Sequence, residues 1–194
     1  MISMIQRPDP ILMDLPDHLE SERLILRAPR PGDGWIVDEA IRESVNELSP
    51  WMPWMHPVQT VEQTETFIRR AAARWLTHED LPLLLWRKGD AVFVGASGLH
   101  RIDWSVPSME IGYWVRTSLA GQGYVTEAVL GITAFAFKYL GAQRIEIRCD
   151  ARNTRSAAVA ERAGYTLEAR LHHHARDVNG GLRDTLVYVR FPDM

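Results

Sequence analysis

The stretch Glu110-Ile-Gly-Tyr-Trp-Val-Arg-Thr-Ser-Leu-Ala-Gly-Gln-Gly-Tyr-Val-Thr-Glu-Ala128 decides the fold of this chain. It reads as an apolar strand, a short loop with two glycines, and then an amphipathic helix. A glycine loop between a strand and a helix start leaves several backbone N–H groups unpaired and pointing the same way. Together with the positive end of the helix dipole they make a site for a pyrophosphate.

Working outward from this stretch, residues 23–28 read as a first strand. Asp33 caps a helix running towards Glu47, with Val37, Ala40, Ile41, Val45 and Leu48 on one side. Next comes Ser49-Pro-Trp-Met-Pro-Trp-Met-His-Pro57, whose three prolines forbid a regular element. Its two tryptophans and two methionines fit either a loop folded onto the core or the lining of a pocket. Thr60-Val-Glu-Gln63 is a capping box for a second helix with a buried stripe of Phe67, Ile68, Ala71, Ala72, Trp75 and Leu76. Pro82 follows its end. Residues 83–87 and 91–99 form a strand pair turned at Lys88-Gly-Asp90, and a strand over 109–116 follows.

The helix after Gly123 places Val125, Val129, Ile132, Ala136 and Leu140 on one face and stops at Gly141. Residues 144–149 alternate as a half-buried strand. Asn153 caps a short helix ending at Gly164, and strands over 165–176 and 182–191 flank a turn at Asn179-Gly-Gly181. This order predicts an α/β domain with one mixed sheet. Residues 1–20, proline-rich and weakly patterned, read as an N-terminal arm, leaving 21–194 as the domain.

Composition narrows the function. The 194 residues suit one domain with a sizeable core. A net charge of −3 gives no global sign of a nucleic-acid binder, and Arg69, Arg70 and Arg74 at helical spacing read as a solvated helix face. One cysteine, Cys149, allows no intrachain disulfide, which fits a reducing cytoplasm. No apolar run is long enough to cross a bilayer.

A series of motifs in fixed order then carries a family likeness: Gly121-Gln-Gly123 with Thr126-Glu-Ala128, Asn153-Thr-Arg-Ser156, Glu161-Arg-Ala-Gly-Tyr165, and Gly181-Leu-Arg-Asp-Thr-Leu-Val-Tyr188. Their combination resembles the general N-acetyltransferase (GNAT) superfamily. Ser21-Glu-Arg-Leu-Ile-Leu-Arg27 and the Trp-Met-Pro-Trp segment suit its RimJ/RimL-type branch of ribosomal-protein N-terminal acetyltransferases. The resemblance covers nearly the whole chain from about Leu19. It implies a single GNAT-like α/β (α+β) domain, with a central mixed, mostly antiparallel twisted sheet flanked by helices. It also implies acetyl transfer from acetyl-CoA to a primary amine without a metal, and, by family habit, a homodimer. The family's phosphate loop runs Gln or Arg, two residues, Gly, one residue, then Gly or Ala. Gly123 fits that pattern, whereas Ala120 and Val125 depart from it.

The reaction assigns roles by resemblance and by chemistry. Gly121, Gln122, Gly123, Tyr124, Val125 and Thr126 hold the pyrophosphate, the glycines letting the backbone approach and Thr126 adding a hydroxyl. Tyr113, Trp114 and Val115 lie on the opened strand edge that takes the pantetheine arm, with Gly112 as a place for a bulge. Asn153 is a second contact, a helix cap, or both. Glu110 shares a strand face with Gly112 and Trp114 and is the candidate base, since burial strengthens a carboxylate in that role. His100 competes with it. The place of the superfamily's usual tyrosine holds Ala160, and the RimJ/RimL-type branch has a serine where Ser156 stands; the resemblance thus implies that Ser156, in a first helical turn, protonates the departing thiolate, beside a local capping role for its hydroxyl. Trp51, Trp54 and His100 close the acceptor pocket. Asp184 orders local structure, His172-His173-His174 lacks metal-ligand spacing, and Cys149 reads as a buried structural thiol.

An α-amino group has a pKa of about 7.7–8.0 against about 10.4 for lysine, so far more of it is neutral near pH 7. One carboxylate base therefore suits a peptide N-terminus or a small amine of low pKa. An antibiotic or metabolite amine is the alternative acceptor, and a non-catalytic acetyl-CoA-binding module the alternative class. A P-loop ATPase would need a lysine after the second glycine, where Tyr124 stands. A dinucleotide dehydrogenase would need a third glycine, which is missing.

Overall fold

The computed structural model describes residues 9–55 and 57–192; residues 1–8 of the N-terminal arm lie outside it. Eight strands form one sheet: β1 (His18–Glu20), β2 (Leu24–Arg27), β3 (Leu81–Arg87), β4 (Phe93–Asp103), β5 (Ser108–Val115), β6 (Arg144–Asp150), β7 (Thr166–Arg176) and β8 (Leu182–Arg190). Their spatial order is β1-β2-β3-β4-β5-β6-β8-β7. Every neighbouring pair is antiparallel except β5 and β6. β1 falls within the segment read as an arm, and the partly buried Met13 and Leu15 pack against the core.

Helices α1 (Gly34–Leu48) and α2 (Val61–Thr77) cover one face, where Val37, Ala40 and Ile68 pack on Leu84 and Phe93. Helices α3 (Tyr124–Tyr139) and α4 (Thr154–Arg162) cover the other. There Val129, Ile132 and Ala136 of α3 join Leu83, Leu85, Ile111, Ile145 and Ile147 in the larger core. The fold is the mixed, mostly antiparallel α/β sheet that the order of motifs implied.

Local signals explain most element ends. The capping box closes both ways: Gln63 N donates to Thr60 Oγ1 at 3.3 Å and Thr60 N to Gln63 Oε1 at 2.8 Å. Gly141 takes φ +64° just past α3. Asp33 stands at the N-cap of α1 but makes no side-chain cap. Its carboxylate accepts two bonds from Arg27 instead, at 2.7 and 2.8 Å, and Glu65 of α2 accepts from the Gly32 and Gly34 amides. The stripe expected on α2 is also corrected. Ile68, Ala71 and Trp75 are buried with Thr64, whereas Phe67 and Leu76 are exposed. Pro82 lies inside β3, beyond the part that pairs with β2, so its missing N–H costs no ladder bond on that side.

Candidate active site

The sheet opens between β5 and β6. Their pairing is limited to Ser108–Arg144, Met109–Ile145 and Glu110–Glu146; beyond these the strands part. β6 stays bonded to β8 through Asp150, and β5 to β4 through Val115. The backbone of residues 111–115 therefore has no sheet partner on the gap side. Gly112 makes no bulge: the register with β4 runs unbroken from Glu110 to Val115, and the irregularity lies at His100–Asp103. What Gly112 provides is space, since a Cβ there would stand 3.3 Å from His100 Cδ2.

A cavity of about 440 Å³ fills the gap. Ile111, Tyr113, Ile147 and Cys149 line it from one sheet face, and Glu110, Trp114 and Arg148 from the other. One end reaches the glycine loop. Gly121 and Gly123 take φ +76° and +82°, a left-handed conformation that only glycine adopts freely. Among the described residues, none of the amides of residues 121–126 donates a hydrogen bond to the protein. These free donors at the start of α3 fit an anionic diphosphate.

The loop's side chains divide. Ala120 and Val125, the two departures from the family pattern, face the cavity. Tyr124 is buried, with the Arg23 guanidinium 4.5 Å over its ring, so its amide alone is available. Thr126 Oγ1 is closed off without a partner and is not presented to a ligand as expected. Gln122 gives its carbonyl to Arg23 Nη1 at 3.0 Å.

The loop is clamped from the far edge of the sheet. Glu127 accepts from Ser21 Oγ at 2.6 Å, from Arg23 N at 2.7 Å and from Arg23 Nε at 2.7 Å. This carboxylate escaped the sequence reading. The Ser21-Glu-Arg23 motif was the available signal, and its partner lies more than a hundred residues away.

Ser156 and Asn153 line the same cavity. Asn153 Oδ1 accepts from Ser156 N at 3.0 Å, which is the cap expected of it. Tyr113, read only as part of the cofactor edge, brings its hydroxyl to Ser156: Oη donates to Ser156 O at 2.9 Å and stands 3.1 Å from Oγ. Burial pushes the Tyr113 phenol well above its ordinary range, so it keeps its proton at neutral pH. Burial raises the nearby Cys149 thiol too, as fits a structural cysteine.

Glu110 borders the cavity but is not an isolated carboxylate. Arg101 Nη1 donates to its Oε2 at 2.9 Å, and Arg148 Nε stands 3.6 Å away. The irregularity after His100, with Arg101 at φ +49°, turns the first guanidinium onto it. His100 is separate from this pair. Its Nδ1 meets Asp80 Oδ1 at 2.7 Å, and its ring lines a second cavity of about 430 Å³ on the α1/α2 face. The two tryptophans also divide: Trp51 borders the first cavity and Trp54 the second. Met52, Gly112, Tyr113 and Trp114 are walls of both.

Within β8, opposite the irregular part of β7 between Leu171 and Ala175, Asp184 gathers His173 N, Arg170 Nε and His172 Nδ1, as a residue ordering local structure should. The first of these bonds leads in holding its carboxyl down at about 2.

A sheet parted beside a row of free amides has the form of an enzyme that takes an acyl group from a long, phosphate-bearing donor. Residues 23–166 match the acetyltransferase (GNAT) domain, and the chain belongs to that family. It is an acetyltransferase. It is similar to the ribosomal-protein-serine acetyltransferase of Escherichia coli (strain K12), 31% identical over 173 residues, covering 89% of this chain and 95% of that one. Two of the solved structures that share its fold serve as comparisons. RimL, the ribosomal L7/L12 alpha-N-protein acetyltransferase in complex with coenzyme A, superposes with TM-score 0.84 at 22% identity, over 90% of this chain and 97% of that one. The microcin C7 self-immunity acetyltransferase MccE, in complex with acetyl-CoA and AMP, gives TM-score 0.81 at 24% identity, over 88% and 93%.

Proposed function

We propose that this acetyltransferase uses acetyl-CoA to acetylate a primary amine, a protein N-terminal α-amine of the ribosomal-protein type. The reading rests above all on the gap between β5 and β6 running on to the free amides of residues 121–126. The donor supplies a thioester, whose carbonyl carbon the amine attacks. The chain's own residues do the rest. The loop amides take the diphosphate, and the unpaired backbone of residues 111–115 bonds the pantetheine amides as a neighbouring strand would.

Glu110 draws the ammonium form of the acceptor to the cavity and takes its proton. Arg101 is largely exposed, so its ion pair with Glu110 yields at little cost. Ser156 Oγ gives its proton to the departing thiolate as the tetrahedral adduct collapses and takes up the proton that the acylated nitrogen sheds, with the Tyr113 hydroxyl 3.1 Å away. The start of α4 lends its positive dipole end to the same place. The relative that acetylates a ribosomal-protein serine, and the readier deprotonation of an α-amine, both favour a peptide N-terminus as acceptor.

The test is a screen of peptide N-termini, lysine peptides and small amines with acetyl-CoA, followed by release of free thiol and by mass. Transfer to α-amines is the expected result. Transfer only to small amines would move the assignment to the alternative acceptor class. Tight acetyl-CoA binding without turnover would make the chain a binding module.

A further inference from the structure

The second cavity plays no part in the chemistry above. It lies between α1, α2 and the sheet, against β5 at Gly112 and Trp114. Ile41, Trp54, Phe67, Ile68, Ala96 and Trp114 give it an almost wholly apolar wall. Its few polar side chains are mostly engaged. Thr64 Oγ1 donates to Asp38 at 3.4 Å, Ser97 Oγ donates to the Gly112 carbonyl at 2.8 Å, and His100 Nδ1 meets Asp80. The remaining side-chain hydrogen-bonding groups on this wall are His100 Nε2 near Gly112, the Gln59 amide and the indole N–H groups of Trp54 and Trp114.

Two aromatics on this wall are left about half exposed, Phe67 at 53% and Trp54 at 47%. Phe67 is a helix position whose spacing predicts burial. Large apolar groups so placed are covered when something apolar fills the space. The shared walls at Met52, Gly112 and Trp114 put this space beside the point where an amine would meet the gap.

We infer that the second cavity is a specificity pocket for a bulky apolar group beside the acceptor amine: an aromatic or branched aliphatic side chain within the first two residues of a peptide, or the equivalent group of a small amine. The inference rests on the transferase reading. The volume of about 430 Å³ holds one such group with room to spare. Moving it out of water against these walls favours the apolar acceptor by about 10- to 100-fold in kcat/KM.

The experiment compares kcat/KM for peptides beginning Phe-Ala, Ala-Phe, Ala-Ala and Ala-Asp, and for 2-phenylethylamine against ethylamine. An apolar preference of that size is expected, and its peptide and small-amine arms show which source supplies the group. Ala96→Phe fills the pocket and should bring the Phe-to-Ala ratio close to one. Phe67→Ser, at a half-exposed site that the fold tolerates, should reduce the ratio several-fold. Independently of turnover, 2-phenylethylamine should perturb the fluorescence of Trp54 and Trp114, and Ala96→Phe should abolish that change. Transfer at equal rates to all acceptors, or a preference that survives both substitutions, overturns the pocket while leaving the transferase intact. No transfer to any acceptor overturns the transferase reading, and a missing fluorescence response then removes the pocket as well.

Discussion

Ser156→Ala separates a proton donor from a structural hydroxyl. The substitution removes Oγ, 3.1 Å from Tyr113 Oη, and little else. Tyr113 keeps its bond to the Ser156 carbonyl at 2.9 Å, and Asn153 keeps the Ser156 amide at 3.0 Å; both acceptor and donor are backbone atoms that alanine retains. No buried polar group is orphaned, so the loss is one ordinary hydrogen bond, about 0.5–1.5 kcal/mol. Alanine's better helix propensity offsets roughly 0.5 kcal/mol of it. The melting temperature should therefore fall by no more than about 4 °C. Loss of a general acid removes about 10²–10⁴ in rate, or roughly 3–5 kcal/mol of transition-state stabilisation. Thiol release under saturating acetyl-CoA gives kcat, calorimetry gives the Kd for CoA, and a thermal scan gives stability. The expected pattern is a kcat lowered at least about 100-fold, a Kd within about threefold of wild type, and a nearly unchanged scan. An unchanged kcat would refute the proton-donor role. A fall in kcat matched by weaker CoA binding would mean that Ser156 only holds the ligand.

Glu110→Gln keeps the shape of the carboxylate but not its charge; kcat should drop about 100-fold with CoA affinity retained, and full activity would move the base elsewhere. Glu127→Ala frees Ser21 and Arg23 from three contacts at once. About 2–3 kcal/mol of stability and part of the CoA affinity should go, read by denaturant titration and calorimetry; an unaltered Kd would mean that the clamp does not position the loop. Gly123→Ala forces a side chain into φ +82°, at about 1–2 kcal/mol, so the loop should shift and CoA binding weaken about tenfold, a result that unaltered binding contradicts. Asp184 has its folded pKa lowered to about 2, so its support of the hairpin is complete above the ordinary carboxylate value of about 3.9 and fades as pH falls from there through about 2. Carboxyl NMR follows that titration directly, and Asp184→Asn should remove the accompanying shifts in His172 and His173; titration near 3.9 would contradict it.

What could be read from the chain was what neighbouring residues decide together. The Thr60–Gln63 box, the Asn153 cap and the glycines at 121, 123 and 141 act within a few positions, and each stands where spacing put it. The errors share a cause in long-range partners. Asp33 has the chemistry of a cap, but Arg27 and Arg30 claim its carboxylate, and Glu65 from another helix serves the amides. Phe67 fits a helical stripe, yet α2 meets the sheet along Thr64, Ile68, Ala71 and Trp75, which turns Phe67 to the mouth of a cavity. Tyr113 with Ser156 and Asp80 with His100 are 43 and 20 residues apart, pairings that only the folded sheet makes. Glu110 as a paired rather than isolated carboxylate depends likewise on an irregular turn of β4.

The parting of β5 from β6 has a mechanical consequence. Only three residue pairs act as rungs between a five-strand blade and a three-strand blade, and the wedge above them is bare. A donor whose amides bond both backbone and loop would complete that ladder as a transient ninth strand, splinting the blades together. Cosubstrate then becomes part of the architecture: amide exchange should slow along residues 111–115, and at a hundredfold excess over Kd the whole chain should gain about 2.7 kcal/mol against unfolding.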